Sequence, residues 1–247
     1  MKFQAIFFDL FNTLLHFDFS RLPRVNFKGN PLHTTTVSVY EKIKKQWPVK
    51  FSYEEFLEEF IKTKEIVRMM RGPKYKEIPA LQRFQILSDR LELKQNSAAK
   101  LILKAHTNEM LRTIYLPDEN KVVLNKLSEY PLVLASNFDH APTARMALRN
   151  FGIEEKFEFV FISEEVGWRK PGELFFEKIL NDVPYKPNRC LYVGDDPEAD
   201  VLGAGQADFR VAWLTKSEPA IALSKSPIWT IQSLTQVLDI ICGDFHS

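Results

Sequence analysis

Cysteine is nearly absent from this chain. Its two copies, Cys190 and Cys242, among 247 residues supply neither a disulfide framework nor a closely spaced metal-binding pair, and both are expected to be reduced thiols in the core. An excess of one charge is equally lacking. The balance of 33 Lys and Arg against 32 Asp and Glu leaves a formal net charge of +1, which gives no electrostatic footprint for nucleic acid or an anionic membrane surface. No apolar run approaches the roughly 20 residues needed to cross a bilayer. The first apolar stretch is broken by Asp9 with no small-residue cleavage site after it, which argues against a secretory leader. The expectation is a cytoplasmic globular protein with no nucleic-acid and no membrane partner.

What is present is a sequence 45% apolar, long enough for one large domain or a core domain with an insert. The run from Phe3 to Phe8 reads as a buried strand ending in Asp9. Residues 16–33, with Pro23, Gly29 and Pro31, read as a loop or hinge. From about Thr34 to Asn120 apolar residues recur at helical spacing, as in Phe51-Phe56-Leu57-Phe60-Ile61, with no strand signal. Ser52 with Glu55 forms a capping box. The segment 69–76, carrying Arg71, Lys74 and Lys76, reads as an inter-helix turn or a ligand-facing loop.

From Val122 onward strand and helix patterns alternate. Strands are expected over 131–135, 157–162, 190–193, 209–214 and 229–231. Helices are expected over 143–150, from Pro171 to Leu180, through about Ala207, and over 233–241. Such alternation implies a parallel sheet covered on both faces. The predicted architecture is therefore α/β: a three-layer, Rossmann-like parallel-sheet core formed by residues 1–16 and 121–247, with a helical insertion over 17–120.

In open parallel sheets, ligands bind beyond the carboxyl ends of the strands. Four polar features fall there: Asp9, Ser136-Asn137, Lys170, and Gly194-Asp195-Asp196 through Asp200. Singly, each is explained by a turn or a helix cap. Together they suit phosphoryl transfer. Carboxylates from Asp9 and Asp195, with another acid nearby, are the hard ligands that Mg²⁺ prefers. A lysine and a hydroxyl would hold the anion, leaving an Asp9 oxygen as nucleophile.

These stretches resemble the ordered motifs of the haloacid dehalogenase superfamily. They stand here as Asp9-Leu-Phe-Asn-Thr13, Ser136-Asn137, Lys170-Pro171 and Gly194-Asp195 through Asp200, and the helical insertion resembles that family's cap. The resemblance implies a hydrolase acting on a small phosphorylated molecule, with Asp9 as nucleophile and Mg²⁺ held by Asp9, Asp195 and the backbone carbonyl of Phe11. Thr13 and Ser136 would steady and bind the transferring group, and Lys170 would offset its charge. Asp200 would support the metal shell, Asp196 is a further candidate ligand, and Asn137 a candidate ligand contact. The cap would supply specificity through residues such as Arg68, Arg71, Lys74, Tyr75 and Arg83.

The departure is Phe11. The family's phosphatases carry a second Asp there to protonate the leaving oxygen, and Phe cannot. Loss of a positioned acid costs on the order of 10²–10⁴ in rate, least for acyl and aryl phosphates. Three readings follow. The first is a phosphatase whose acid is displaced, to His16, Asp18 or His140, or absent. The second is a 2-haloacid dehalogenase, since such enzymes carry an aromatic residue at this position, although they resemble a metal-free design lacking the Asp195–Asp200 cluster. The third is a non-catalytic ligand-binding member. A phosphonate-cleaving enzyme, needing an imine-forming cap lysine such as Lys28, Lys74 or Lys76, is a minor alternative.

Overall fold

The computed structural model describes residues 3–216 and 228–243. The chain begins with strand β1 (Ala5–Phe8) and the two-residue β2 (His16–Phe17), followed by β3 (Arg24–Phe27) and β4 (Asn30–His33). Four helices come next, α1 (Thr36–Gln46), α2 (Tyr53–Met70), α3 (Ala80–Arg90) and α4 (Ala98–Thr113), then the short β5 (Ile114–Tyr115) and α5 (Asp118–Lys126). After β6 (Leu132–Ser136) come α6 (Ala141–Asn150), β7 (Phe159–Ile162), the single turn α7 (Ser163–Val166), α8 (Glu173–Asp182) and β8 (Cys190–Gly194). The last elements are α9 (Gly203–Gln206), β9 (Arg210–Leu214), β10 (Ile228–Ile231) and α10 (Gln236–Cys242).

These elements fall into two compact units. One comprises the described residues up to His16, Pro73–Glu77, and those from Leu116 onward; the other comprises Phe17–Gly72 and Ile78–Tyr115. The first unit is built on a sheet of order β10-β9-β8-β1-β6-β7, parallel throughout. Its central strands are buried at every position, as a sheet covered on both faces requires. The chain leaves β1 toward β6 and β7 on one side and β8 to β10 on the other. The carboxyl end of β1 is therefore the switch point where such sheets open a crevice. One face of the sheet packs Phe7, Phe175, Phe176, Tyr192 and Phe209 into a single apolar cluster.

The helical unit forms for local reasons visible in its sequence. Ser52 caps α2: its hydroxyl accepts from the Glu55 amide at 3.2 Å and its own amide donates to Glu55 Oε2 at 2.6 Å. The buried face of α2 carries Phe56, Leu57, Phe60, Thr63 and Val67. Phe56 and Phe60 meet Ile43 of α1, Phe84 of α3 and Ile102 of α4 in a separate core.

Several expectations are corrected. Residues 16–33 are not simply loop, because β3 and β4 pair as an antiparallel hairpin with Phe27 opposite Asn30. Lys28 and Gly29 both take positive φ, 50° and 85°, the signature of a tight hairpin turn, and Pro31 is accommodated because the ribbon has only two strands. Ile114–Tyr115 is a short strand inside the stretch read as wholly helical. Helix α8 starts at Glu173 with Gly172 as its N-cap, so Pro171 precedes it. The helix expected through Ala207 is a wide π turn over Pro197–Leu202 followed by α9.

Residues 73–77 and 116–120, read as insertion, group with the α/β unit. Lys76 bridges Trp168, and Asn120 donates to the carbonyls of Thr13 and Leu14 at 3.1 and 2.9 Å. Cys190 is buried as expected, with burial pushing its thiol up to about 12, but Cys242 is exposed at the end of α10. Among the described residues no helix is long and apolar enough to cross a membrane.

Candidate active site

Strand β1 delivers Asp9 one residue past its end. The Asp9 amide continues the ladder to β8 through the Val193 carbonyl at 2.9 Å, and the residue is only 6% exposed. The following turn is closed by the amides of Leu14 and Leu15, which both donate to the Leu10 carbonyl at 2.8 Å, with Asn12 in the left-handed region at φ 66°. Asn is among the few residue types that tolerate this conformation.

Lys170 is the hub. Its buried ammonium lies 2.7 Å from Asp9 Oδ1, 2.5 Å from Asp200 Oδ1, 2.7 Å from the Ala135 carbonyl and 2.8 Å from the Tyr192 hydroxyl. Asn137 fixes the backbone behind it. Its amide nitrogen donates to the Lys170 carbonyl and its amide oxygen accepts from the Lys170 N–H, each at 2.9 Å. The side chain read as a ligand contact thus clamps the lysine loop.

Strand β8 and the turn after it bring in the acids. Asp9, Asp195 and Asp200 each present an oxygen, all within 4.8 Å of one another. A Cβ on Gly194 would sit 2.4 Å from Asp200 Cγ, so only glycine lets Asp200 approach so closely. Trp213 on β9 donates to the Asp195 carbonyl at 2.9 Å, and Thr13 reaches Asp195 Oδ1 at 3.4 Å. Asp196 is not part of this cluster. Its carboxylate caps the next turn, accepting from the amides of Glu198 and Ala199 at 2.9 and 2.7 Å, as an N-cap Asp does. Ser136, at the end of β6, is 1% exposed, and its hydroxyl has no hydrogen-bond partner among the described residues.

Burial raises the Asp9 carboxyl to about 7 against the pull of Lys170. Burial and the neighbouring charges of Asp200 and Asp196 raise Asp195 to about 6. For Lys170, burial lowers the pKa but is outweighed by Asp200 and Asp9, which hold it well above its usual value. Three crowded carboxylates against one ammonium leave negative charge that a divalent cation would neutralise, and the all-oxygen donor set fits Mg²⁺. The orphaned Ser136 hydroxyl is a buried polar group awaiting a partner, which fits an anion. Lys170→Met would leave Asp9 and Asp200 facing each other without a counter-ion. The expected loss is about 3–5 kcal/mol in urea unfolding at pH 7 without added metal; a loss under about 1 kcal/mol would mean that the acids simply protonate.

Phe11 carries no proton that it could deliver to a leaving group. Its ring, 8% exposed, packs on Phe138 with centroids 4.6 Å apart. The three proposed substitutes differ. His16 is half-buried, and burial and then the Lys216 charge lower its pKa. Asp18 belongs to the helical unit, where it caps a short turn and is held down by the Ser20 hydroxyl. His140 Nδ1 is 2.7 Å from the Thr143 hydroxyl. Sequence reasoning missed Asn120, Tyr192 and Trp213 as supports, because each reads locally as ordinary helix or strand.

Acids, a hydroxyl and a lysine stand at the carboxyl ends of neighbouring parallel strands, at the switch point of the sheet. The chain belongs to the haloacid dehalogenase-like hydrolase family, which residues 3–208 match. It is 31% identical over 99 residues to the pyrimidine 5'-nucleotidase YjjG of Escherichia coli, covering 40% of this chain and 44% of that protein. It is 25% identical over 248 residues to the glyceraldehyde 3-phosphate phosphatase of Pyrococcus furiosus, covering 97% and 93%. The chain spans about half the length of most curated relatives it matches. Its fold is that of the magnesium-bound HAD-hydrolase YfnB of Bacillus subtilis, with a TM-score of 0.65 at 18% identity, covering 98% of this chain and 100% of that one.

Proposed function

We propose that the chain is a Mg²⁺-dependent phosphatase of small phosphorylated molecules, working through a phosphoryl group carried on Asp9. The observation that carries this reading is the cluster of Asp9, Asp195 and Asp200 within 4.8 Å, set around the buried Lys170. Asp9, Asp195 and the Phe11 carbonyl would hold the ion, with Asp200 behind them; when bound, it would offset negative charge on the phosphoryl oxygens.

The residues divide the reaction as follows. Ser136 donates its hydroxyl to a phosphoryl oxygen, and Lys170 holds Asp9 in place and counters the charge gathering there. An Asp9 oxygen forms a bond to phosphorus while the bond to the leaving oxygen breaks and that oxygen keeps the electron pair. Water then adds to the phosphoryl group, releasing inorganic phosphate and restoring the carboxylate. With Phe11 beside Asp9 in sequence, the leaving oxygen departs best when it is a stable anion, which favours aryl and acyl phosphates. The helical unit is, on this reading, the cap that selects among them.

The Phe11–Phe138 aromatic pair favours one competing reading, dehalogenation, because halide leaves without a proton. The experiment is turnover of p-nitrophenyl phosphate with Mg²⁺ and with EDTA, beside 2-chloropropionate. Hydrolysis of the phosphate ester that stops with EDTA is expected. Chloride release that persists in EDTA would establish the dehalogenase instead, and inorganic phosphate binding without turnover of either would establish a non-catalytic member.

A further inference from the structure

Glu77 lies in the middle of the inserted residues, between α2 and α3, yet its partners sit on the loops that carry the site. It is 3% exposed. Its Oε2 accepts from Arg169 Nη1 at 2.5 Å, one residue before Lys170, and from the Ser163 hydroxyl. Ser163 Oγ in turn accepts from the Phe138 amide at 2.9 Å and lies 3.1 Å from the Phe138 carbonyl. Phe138 stands two residues after Ser136. One carboxylate therefore holds both the lysine loop and, through a single hydroxyl, the serine loop.

The flanking backbone repeats the attachment. The Glu77 amide donates to the Gly167 carbonyl at 3.0 Å, and the Arg169 amide donates to the Tyr75 carbonyl at 2.9 Å. The Tyr75 hydroxyl donates to Glu198 at 2.9 Å, in the turn leading to Asp200. The approach is close enough to need glycine: a Cβ on Gly172 would lie 3.0 Å from Tyr75 Cβ and 3.1 Å from the Lys74 carbonyl. Residues 75–77 thus reach the loops after β7 and β8 directly and the loop after β6 through Ser163, whereas residues 69–76 read in sequence as a solvated turn or a ligand-facing loop.

We propose that Glu77 is a positioning residue, an element of the insertion that sets Ser136 through Ser163 and Phe138, and Lys170 through Arg169. Its kinetic consequence rests on the phosphatase reading; its structural consequence does not. Displacing a catalytic group by about 1 Å costs on the order of 10² in rate.

The test uses Glu77→Gln, Ser163→Ala and the double variant of the full chain. Ser163→Ala interrupts the relay to Phe138 while leaving the Glu77–Arg169 pair intact, so it decides the matter if Glu77→Gln does not fold. On p-nitrophenyl phosphate with Mg²⁺, kcat is expected to fall on the order of 10²-fold in each single variant while KM shifts less than about threefold. The double variant should be no worse than Glu77→Gln alone, because the Ser163 link is already broken in that variant. Amide exchange at Phe138 should quicken about tenfold in each single variant. Unchanged kcat and unchanged Phe138 exchange in a folded Ser163→Ala protein would overturn the proposal. If the wild type does not turn over the ester, the phosphatase reading fails, and Phe138 exchange alone decides: faster exchange upholds the anchoring and unchanged exchange refutes it.

Discussion

Asp9→Asn is expected to lower turnover of p-nitrophenyl phosphate by on the order of 10⁴-fold or more, since removing the nucleophile of a covalent mechanism costs about 10⁶ in the best-measured hydrolases. The substitution suits the site. Asn keeps the size and an oxygen that can accept from Lys170, and Lys170 retains Asp200 at 2.5 Å. Burial already pushes the Asp9 carboxyl up to about 7, so the amide replaces a charge that the fold disfavours, and the variant should fold as well as the parent. A stopped-flow assay separates the causes. The parent should give a burst of p-nitrophenolate if water attack on the phosphorylated Asp9 limits the rate, and the variant should give none. Activity within tenfold of the parent would remove Asp9 from the chemistry and leave the acid cluster as a binding site.

Phe11→Asp is expected to do the opposite for poor leaving groups, raising kcat/KM on an alkyl phosphate such as glycerol phosphate by about 10²–10⁴-fold, the usual contribution of a positioned general acid. The new carboxyl would join three acids that already crowd one another, which raises its pKa and keeps part of it protonated near neutral pH. The cost is the ring pair with Phe138, worth about 0.5–1.5 kcal/mol, together with the burial of that ring. The ratio of alkyl to aryl phosphate activity is the measurement to follow, because it cancels any general loss of folded protein. A ratio that does not move would show that proton delivery is not what this site lacks.

Much of this is legible in the sequence, and for one reason. A parallel sheet buried on both faces writes its strands as apolar runs, and whatever polar residue follows each run lies at the ligand-binding edge. That rule points to Asp9, Ser136, Lys170, Asp195 and Asp200; the structure gathers Asp9, Lys170, Asp195 and Asp200 and puts Ser136 at the end of β6, the strand beside β1. The rule says nothing of where a side chain points once it arrives. Asp196 is adjacent to Asp195 in sequence but turns away to cap the following turn, and Asn137 spends its amide on the Lys170 backbone. Both are properties of backbone direction within one or two residues, which apolar periodicity does not encode. Cys242 departs from the expected core position because its helix ends there, leaving it exposed. Glu77 was the hardest to see, since its partners Arg169 and Ser163 lie 92 and 86 residues away and no local pattern ties them together.

The return of residues 73–77 to the α/β unit bears on how such proteins can be recombined. An insertion joined only at its two ends is a cassette, exchangeable at its junctions to transplant specificity. This one is joined a third time in its middle. A chimera cut at the obvious junctions would import a foreign residue opposite Arg169 and Ser163, and its recipient would lose part of its own scaffold along with the old specificity. Grafts that carry the natural 74–77 segment across with the recipient core are the ones whose change in substrate preference can be credited to the helices alone.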